Sequence, residues 1–193
     1  MSDIVEIPIF PLGTVLFPGG RLPLRIFEQR YVDMTKACIR DGSVFGVSLI
    51  RAGFEVGKPA VPCDLGCTAR IAEWEVPSPG LFTLGTTGET RFRILNRWAE
   101  ADGLLRARVE LIAVPAPLAL PERFQLLGQL LGSLIDDIGS EHFPEPRLDD
   151  GIWVGCRLAE LLPVTPERKQ RLLEIDDPLA LLTEIEKELK QVH

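Results

Sequence analysis

Four cysteines are the residues of this chain whose type and spacing could hold a metal ion. Cys63 and Cys67 are separated by three residues, which could supply half of a zinc site. A structural zinc site needs four ligands, usually from a second pair, and Cys38, Cys156 and His142 lie on distant segments. Cys38 and Cys156 fall on apolar faces of predicted helices, where a thiol behaves as a small hydrophobic group. We therefore expect buried thiols, and neither a metal nor a cofactor.

Two pairs of adjacent carboxylates could serve acid–base or metal chemistry. Asp149-Asp150 and Asp176-Asp177 each directly precede a predicted helix, where a carboxylate accepts backbone N–H groups and complements the helix dipole. We interpret both pairs as helix caps. The two histidines, His142 in a loop and His193 at the last position, have no nucleophile and orienting group to complete a catalytic set. The sequence predicts no catalytic residues and no enzyme.

Five arginines on a predicted hairpin could form a basic stripe for nucleic acid. Phe92 and Trp98 lie among them, and aromatic side chains can stack RNA bases. The alternative is a solvated strand face opposite a buried one. A net charge of -7 and a pI near 5.0 work against binding to nucleic acid or an anionic membrane, so we expect neither as a partner. The arginines are Arg91, Arg93, Arg97, Arg106 and Arg108.

Length and composition predict one domain or two small ones. The 193 residues are 46% hydrophobic and 25% charged, an ordinary balance for a soluble globular protein with its own core. The start of the chain lacks the pattern of a signal peptide, and no apolar run approaches the roughly 20 residues of a bilayer span. The cysteines form no dense framework, which is typical of a reducing compartment. We expect a cytoplasmic protein.

The elements that would position these residues change character near residue 115. Before it, alternating apolar positions predict strands, beginning with a buried strand at residues 4–9, and residues 28–41 form the one predicted helix. Gly85 and Gly88 are expected to interrupt the extended segment between residues 81 and 98. After Pro115-Ala116-Pro117, apolar residues repeat every three or four positions and predict about four helices. The fold class is α+β, with a β domain over 1–115 and a helical subdomain over 118–193.

The stretch from Phe10 to Tyr31 is the most informative part of the chain. It predicts a strand, a loop punctuated by proline and glycine, a second strand and the start of a helix. Pro11, Pro18 and Pro23 each remove a backbone donor, so none of them suits a central strand. The loop between the strands carries the apolar residues Val15, Leu16 and Phe17.

This stretch resembles the opening of the N-terminal substrate-binding domain of Lon proteases, including stand-alone bacterial members. The resemblance implies a PUA-like β-barrel or mixed sheet with one helix, followed by a bundle of about four helices. It also implies the recognition part of the family without its ATPase and protease modules, because no phosphate-binding G-x-x-x-x-G-K-[ST] motif occurs. The matching residues are Pro11-Leu12, Val15-Leu16-Phe17-Pro18-Gly19, Leu22, Leu24, Ile26-Phe27-Glu28 and Arg30-Tyr31.

We expect a non-catalytic module that binds unfolded or tagged polypeptides, or a protein partner, in protein quality control. The predicted binding residues are Val15, Leu16, Phe17 and Pro18, since apolar side chains exposed on a loop mark a protein-binding surface. The alternative at this loop is that Leu16 and Phe17 fold back into the barrel and only order it. The alternative function is an RNA-binding PUA-like protein that uses the arginine hairpin.

Overall fold

The computed structural model of the chain describes residues 3–192. The chain divides into two compact units, Met1–Val114 and Pro115–His193. Among the described residues, the first unit contains the strands and one helix, and the second contains the other α-helices. The predicted α+β class is confirmed. The strands are β1 (Ile4–Leu12), β2 (Arg21–Ile26), β3 (Phe45–Ala52), β4 (Val61–Pro62), β5 (Leu65–Ser78), β6 (Leu81–Ala99) and β7 (Leu105–Leu111).

The strand pairings of the first unit close into a ring. β1 pairs antiparallel with β7 and parallel with β3, and antiparallel pairs join β7 to β6, β6 to β5 and β5 to β3. Ile7 and Ile9 on β1 are buried, but Ile4 and Val5 are exposed. The expectation of a buried first strand is therefore wrong at its start, where β1 has β7 alone as its neighbour.

The longest strand, β6, serves two neighbours along one edge. Residues 82–87 pair with β2 and residues 92–99 pair with β7, while β5 occupies the opposite edge. The expected interruption at Gly85 and Gly88 is wrong, because both glycines lie within β6. The register of β5 and β6 shifts near Gly88, and such bulges bend a strand. The bend lets β6 pair with β7 within the ring and with β2 outside it.

Prolines in β1 and β2 occupy positions with a neighbour on only one side. Pro23 lies in β2, which pairs with β6 alone among the described residues. Pro11 lies near the end of β1, where β3 is present but β7 no longer pairs. A missing donor is tolerated at such edges. Pro11 thus lies in the half of β1 that pairs with β3 alone, and only Ile9 has a strand partner on both sides.

The helix of the first unit, α1 (Gln29–Asp41), ends as the sequence predicts. Gly42 adopts φ 62°, and its N–H donates to the carbonyl of Cys38, as in a left-handed helix cap. The inner face of α1 packs into a buried core cluster with residues of the sheet. That cluster contains Phe10, Leu12, Leu16, Ile26, Tyr31, Val32, Met34, Cys38, Phe45, Val47, Cys67, Ala69, Phe82, Leu84 and Leu104.

The second unit has its own buried residues and well-capped helices. Asp150 accepts hydrogen bonds from the N–H groups of Ile152 (2.9 Å) and Trp153 (3.2 Å). Asp177 caps the last helix, and Thr165 caps a helix that begins at Pro166. The cap interpretation of the carboxylate pairs is confirmed at Asp150 and Asp177. The helices are α2 (Gln125–Ile138), α3 (Gly151–Leu161), α4 (Pro166–Leu173) and α5 (Pro178–Gln191).

Candidate functional site

The apolar loop predicted to bind a partner is folded onto the sheet. Leu16 is 3% exposed and Phe17 is 1% exposed, while Val15 and Pro18 are half-buried. The expectation of exposed apolar side chains is therefore wrong for Leu16 and Phe17, and the structure has the folded-back arrangement. Binding by Val15, Leu16, Phe17 and Pro18 stays a prediction.

Gly88 on β6 explains why this loop can lie so close to the sheet. The N–H of Gly88 donates to the carbonyl of Gly20 (2.8 Å), and the N–H of Gly19 donates to the carbonyl of Gly88 (2.7 Å). A Cβ atom at Gly88 would overlap the carbonyl oxygen of Phe17. Only a residue without a side chain allows this approach, so the burial of Phe17 depends on a residue far away in the sequence.

The exposed aromatic residues near this region are Phe27 and Phe54. Phe27 follows β2 and is 60% exposed, and Phe54 lies on the loop after β3 and is 83% exposed. Val56, on the same loop, is 58% exposed. The sequence pattern could have indicated exposed apolar side chains on this loop. Phe54 and Val56 lie between Gly53 and Gly57 in an otherwise polar segment.

Phe27 and Val56 line a groove of about 290 Å³ in the first unit. Its floor includes Phe10 and Leu12 from the end of β1 and Tyr31 from the first turn of α1. One wall is the stretch from Pro23 to Ile26 on β2, and the loop after β3 forms another. The remaining lining residues are Phe27, Glu28 and Glu55. The groove is therefore apolar at its base and carries charges at its rim.

Arg30 links the start of α1 to the loop after β3, which forms one wall of this groove. Its side chain is 6% exposed, and its guanidinium donates to the carbonyl of Gly57 (2.7 Å) and to that of Gly103 (3.1 Å). It also lies 3.1 Å from the carboxylate of Glu28 and 4.7 Å from the ring centre of Tyr31. Glu28 and Arg30 thus form a salt link. A planar guanidinium can make these contacts together, so Arg30 fixes the loop that carries Phe54 and Val56.

Burial and the charges near the groove shift the pKa of Tyr31. Burial raises the pKa of Tyr31 to about 12, Arg30 opposes this shift, and Glu28 and Glu55 add to it. The Glu55 carboxylate accepts a hydrogen bond from the N–H of Gly13 (2.6 Å). Both carboxylates at the rim are thus held by partners within the chain, and Tyr31 is neutral at physiological pH.

A second groove, of about 660 Å³, lies beside α1 and includes Cys38 and residues of β1, β5, β6 and β7. Burial raises the pKa of the Cys38 thiol, and a hydrogen bond with Ser43 opposes that shift. Arg70 pairs with Glu89 at 2.5 Å and donates to the carbonyl of Gly42. These contacts join elements of the fold, and they assemble no nucleophile with a base.

Among the described residues, the cysteines and His142 assemble no metal site. Cys38, Cys67 and Cys156 are buried, Cys63 is half-buried, and no disulfide joins the four. Within residues 3–192, no cluster of three or more His, Cys, Asp or Glu side chains could hold a metal ion. His142 is exposed beside Glu141, and His193 lies outside the described residues.

The arginine hairpin does not form a continuous basic face. Arg91 is buried, Arg97 lies 3.8 Å from Asp64, and Arg106 lies 3.7 Å from Glu100. The strand register places Arg93 opposite Glu110 and Arg108 opposite Glu6. Acidic residues therefore alternate with the basic ones across this surface, which weakens the case for an RNA interface.

The buried charges of the second unit stabilise helix contacts. Arg157 pairs with Glu160 at 2.8 Å, and Lys169 donates to the backbone carbonyl of Glu160. Burial raises the pKa of Glu160 against the opposing effect of Arg157, and burial lowers the pKa of Lys169 against that of Glu160. The Lys169 contact ties α4 to α3, whereas the Arg157–Glu160 pair lies within α3, and none of these groups lines a described groove.

The groove beside β2 is lined mainly by apolar residues. The sequence model of the family "ATP-dependent protease La (LON) substrate-binding domain" matches residues 6–191. The chain therefore belongs to the Lon substrate-binding domain family, and the part of Lon that it represents is non-catalytic. The resemblance of the opening stretch is confirmed.

Known proteins agree with this assignment. The Lon N-terminal domain protein from Xanthomonas campestris is 34% identical, with a TM-score of 0.79 over 94% of this chain and 96% of that one. The N-terminal domain of Mycobacterium avium complex Lon protease, 18% identical with a TM-score of 0.65, covers 95% of this chain and 97% of that one and shares the fold. Lon protease 2 of Myxococcus xanthus is 34% identical over 58% of this chain, but the match spans only 14% of that protein.

No helix in the part of the chain that the structure describes is long and apolar enough to cross a bilayer.

Proposed function

We propose that this chain binds unfolded or tagged polypeptides in protein quality control, through the groove beside β2. The observation that carries the proposal is the exposure of Phe27 and Val56 on the two sides of an apolar groove, with Phe54 exposed on the same loop as Val56. Exposed aromatic and aliphatic side chains around a concave surface are typical of protein-binding sites. The family assignment to a substrate-binding domain supports it.

The groove has the size for side chains of an extended segment rather than for a folded partner. Its volume of about 290 Å³ is at the lower end of ligand pockets. Recognition of unfolded chains needs only one or two apolar side chains and the neighbouring backbone. Leu16 and Phe17 then support the groove region by ordering the loop between β1 and β2, and Val15 and Pro18 are the two predicted binding residues that stay partly accessible.

Fluorescence anisotropy of labelled, unfolded casein tests this function. We expect the Phe27→Ser and Val56→Ser variants to bind casein at least about tenfold more weakly, since each removes an exposed apolar contact of the kind that dominates interfaces. Leu126→Ser is the matched control, because Leu126 is 76% exposed but lies on α2 in the second unit. Equal losses in all three variants, or no casein binding by the unaltered protein, would contradict the proposal.

A further inference from the structure

The free edge of β2 lies along the proposed binding groove. β2 pairs with β6 in the register Arg21↔Thr87 to Ile26↔Phe82, and no other described strand pairs with it. An unpaired strand edge presents backbone donors and acceptors that a further strand can satisfy. The edge residues Pro23, Leu24, Arg25 and Ile26 also line the groove, so the edge and the apolar pocket form one surface.

The orientation of the backbone shows which groups the free edge offers. The carbonyl of Gly20 accepts from the N–H of Gly88, and the carbonyl of Leu22 accepts from the hydroxyl of Thr86 (2.7 Å). Even-numbered residues of β2 therefore turn their backbone groups toward β6, and odd-numbered residues turn theirs away. Arg21, Pro23 and Arg25 thus offer their carbonyls outward, and Arg21 and Arg25 also offer N–H groups, because proline has none.

The two faces of β2 differ in chemistry. Leu22, Leu24 and Ile26 point toward the core, whereas Arg21 and Arg25 are exposed on the opposite face. A strand added to this edge would place alternate side chains on each face. Its side chains on the inner face would meet the apolar groove, and those on the outer face would meet the two arginines.

Charge complementarity predicts which residues the added strand carries on the outer face. Arg25 has no ion pair within the described residues, and Arg21 reaches only Glu73, at 3.8 Å. The carboxylates of Glu28 and Glu55 at the rim are already held by Arg30 and by the N–H of Gly13. The cationic charge of Arg25 is therefore available, and opposite charges across a strand pair are stabilising.

We propose that the free edge of β2 binds an extended polypeptide segment by strand addition, and that the segment carries apolar residues alternating with acidic ones. This proposal rests on the proposed function, and it specifies the class of polypeptide and the mode of binding. Arginine and proline on an edge discourage pairing with like strands. Here they leave the edge open to a strand of opposite charge.

Anisotropy measurements with labelled peptides and the full chain test the charge pattern. The peptides are a Val-Glu alternating segment, its Val-Lys counterpart, and a block-ordered peptide with the composition of the first. We expect the Val-Glu segment to bind about five- to tenfold more tightly than either of the others, and Arg25→Glu to reverse the preference between Glu and Lys. No preference, or one that Arg25→Glu leaves unchanged, overturns the charge assignment.

Two further measurements test the backbone pairing. Arg25→Pro removes the outward N–H as well as the charge, while Arg25→Ala removes the charge alone. Since residue 25 turns its backbone away from β6, both variants should keep the fold, and Arg25→Pro should bind about fivefold more weakly than Arg25→Ala. N-methylation of every second peptide residue gives two frames, one in which the methylated N–H groups face β2 and one in which they face away. Binding should weaken in the first frame and not in the second.

The outcomes separate this inference from the proposed function. Casein binding that depends on Phe27, together with equal effects of N-methylation in both frames, overturns strand addition and leaves polypeptide recognition standing. Failure of casein and of every peptide to bind overturns both.

Discussion

The burial of Phe17 depends on the absence of a side chain at Gly88. A methyl group there would meet the Phe17 carbonyl, which is backbone and cannot move without shifting the loop. We expect Gly88→Ala to lower the free energy of unfolding by roughly 2–3 kcal/mol, in the range of overpacked sites. Chemical denaturation followed by tryptophan fluorescence measures this change.

Gly85→Ala is the matched control on the same strand. A Cβ atom at Gly85 would meet the side chain of Glu73, which is exposed and flexible and can rotate away. The free energy of unfolding of this variant should fall by less than about 1 kcal/mol. Similar losses at Gly85 and Gly88 would show that the cost comes from replacing a strand glycine in general, and not from the approach of Phe17.

Tyr31 makes the stability of the first unit depend on pH in the alkaline range. Burial raises its pKa from 10.0 to about 12, so the folded state retains a proton that the unfolded chain has already lost. The stabilisation is fully present below about pH 10 and is lost as the pH rises through 12, with a total of roughly 3 kcal/mol. We expect Tyr31→Phe to lose less stability than the unaltered protein between these two pH values.

Urea unfolding at pH 8.5 and pH 11 measures the Tyr31 contribution. The difference in unfolding free energy between the unaltered protein and Tyr31→Phe cancels the effect of lysines and cysteines, because both proteins contain them. A parallel decline in the two proteins would show that ionisation of Tyr31 does not contribute.

At the scale of elements, Arg30 joins the start of α1 to two loops. Its contacts with Gly57 and Gly103 cross from the helix to the groove loop and to the β6–β7 turn. We expect Arg30→Met to destabilise the protein by roughly 2–4 kcal/mol, because it leaves buried polar partners unsatisfied. Hydrogen exchange should become faster at residues 54–60, and casein should bind more weakly.

Two variants separate the geometry of Arg30 from its charge. Arg30→Lys keeps the charge but cannot reach both carbonyls and Glu28 at once, so it should also speed exchange at residues 54–60. Arg40→Met, on the exposed face of the same helix, removes only a surface pair with Asp41 and should change neither exchange nor binding. Unchanged exchange in Arg30→Met would contradict the role of Arg30 in positioning the loop.

The features that the sequence predicted correctly are local ones. The caps at Asp150 and Asp177 depend on residues within a few positions, and their chemistry can be read directly. The placement of Phe17 depends instead on Gly88, and that of the groove loop on Arg30, through contacts between distant segments. The alternation in β2 also predicts two faces without showing that one edge is unpaired.

At the scale of the whole molecule, the net charge of -7 and the pairing of the hairpin arginines with acidic neighbours argue against RNA. We expect no saturable binding of a labelled RNA hairpin by anisotropy at 50 mM salt, where nonspecific affinity would be greatest. Casein affinity should fall by no more than about tenfold between 50 and 300 mM salt, because salt screens only the few charge contacts at the arginines of β2. RNA binding with a steep salt dependence, reduced by Arg93→Glu but not by Phe27→Ser, would instead establish the hairpin as an RNA interface.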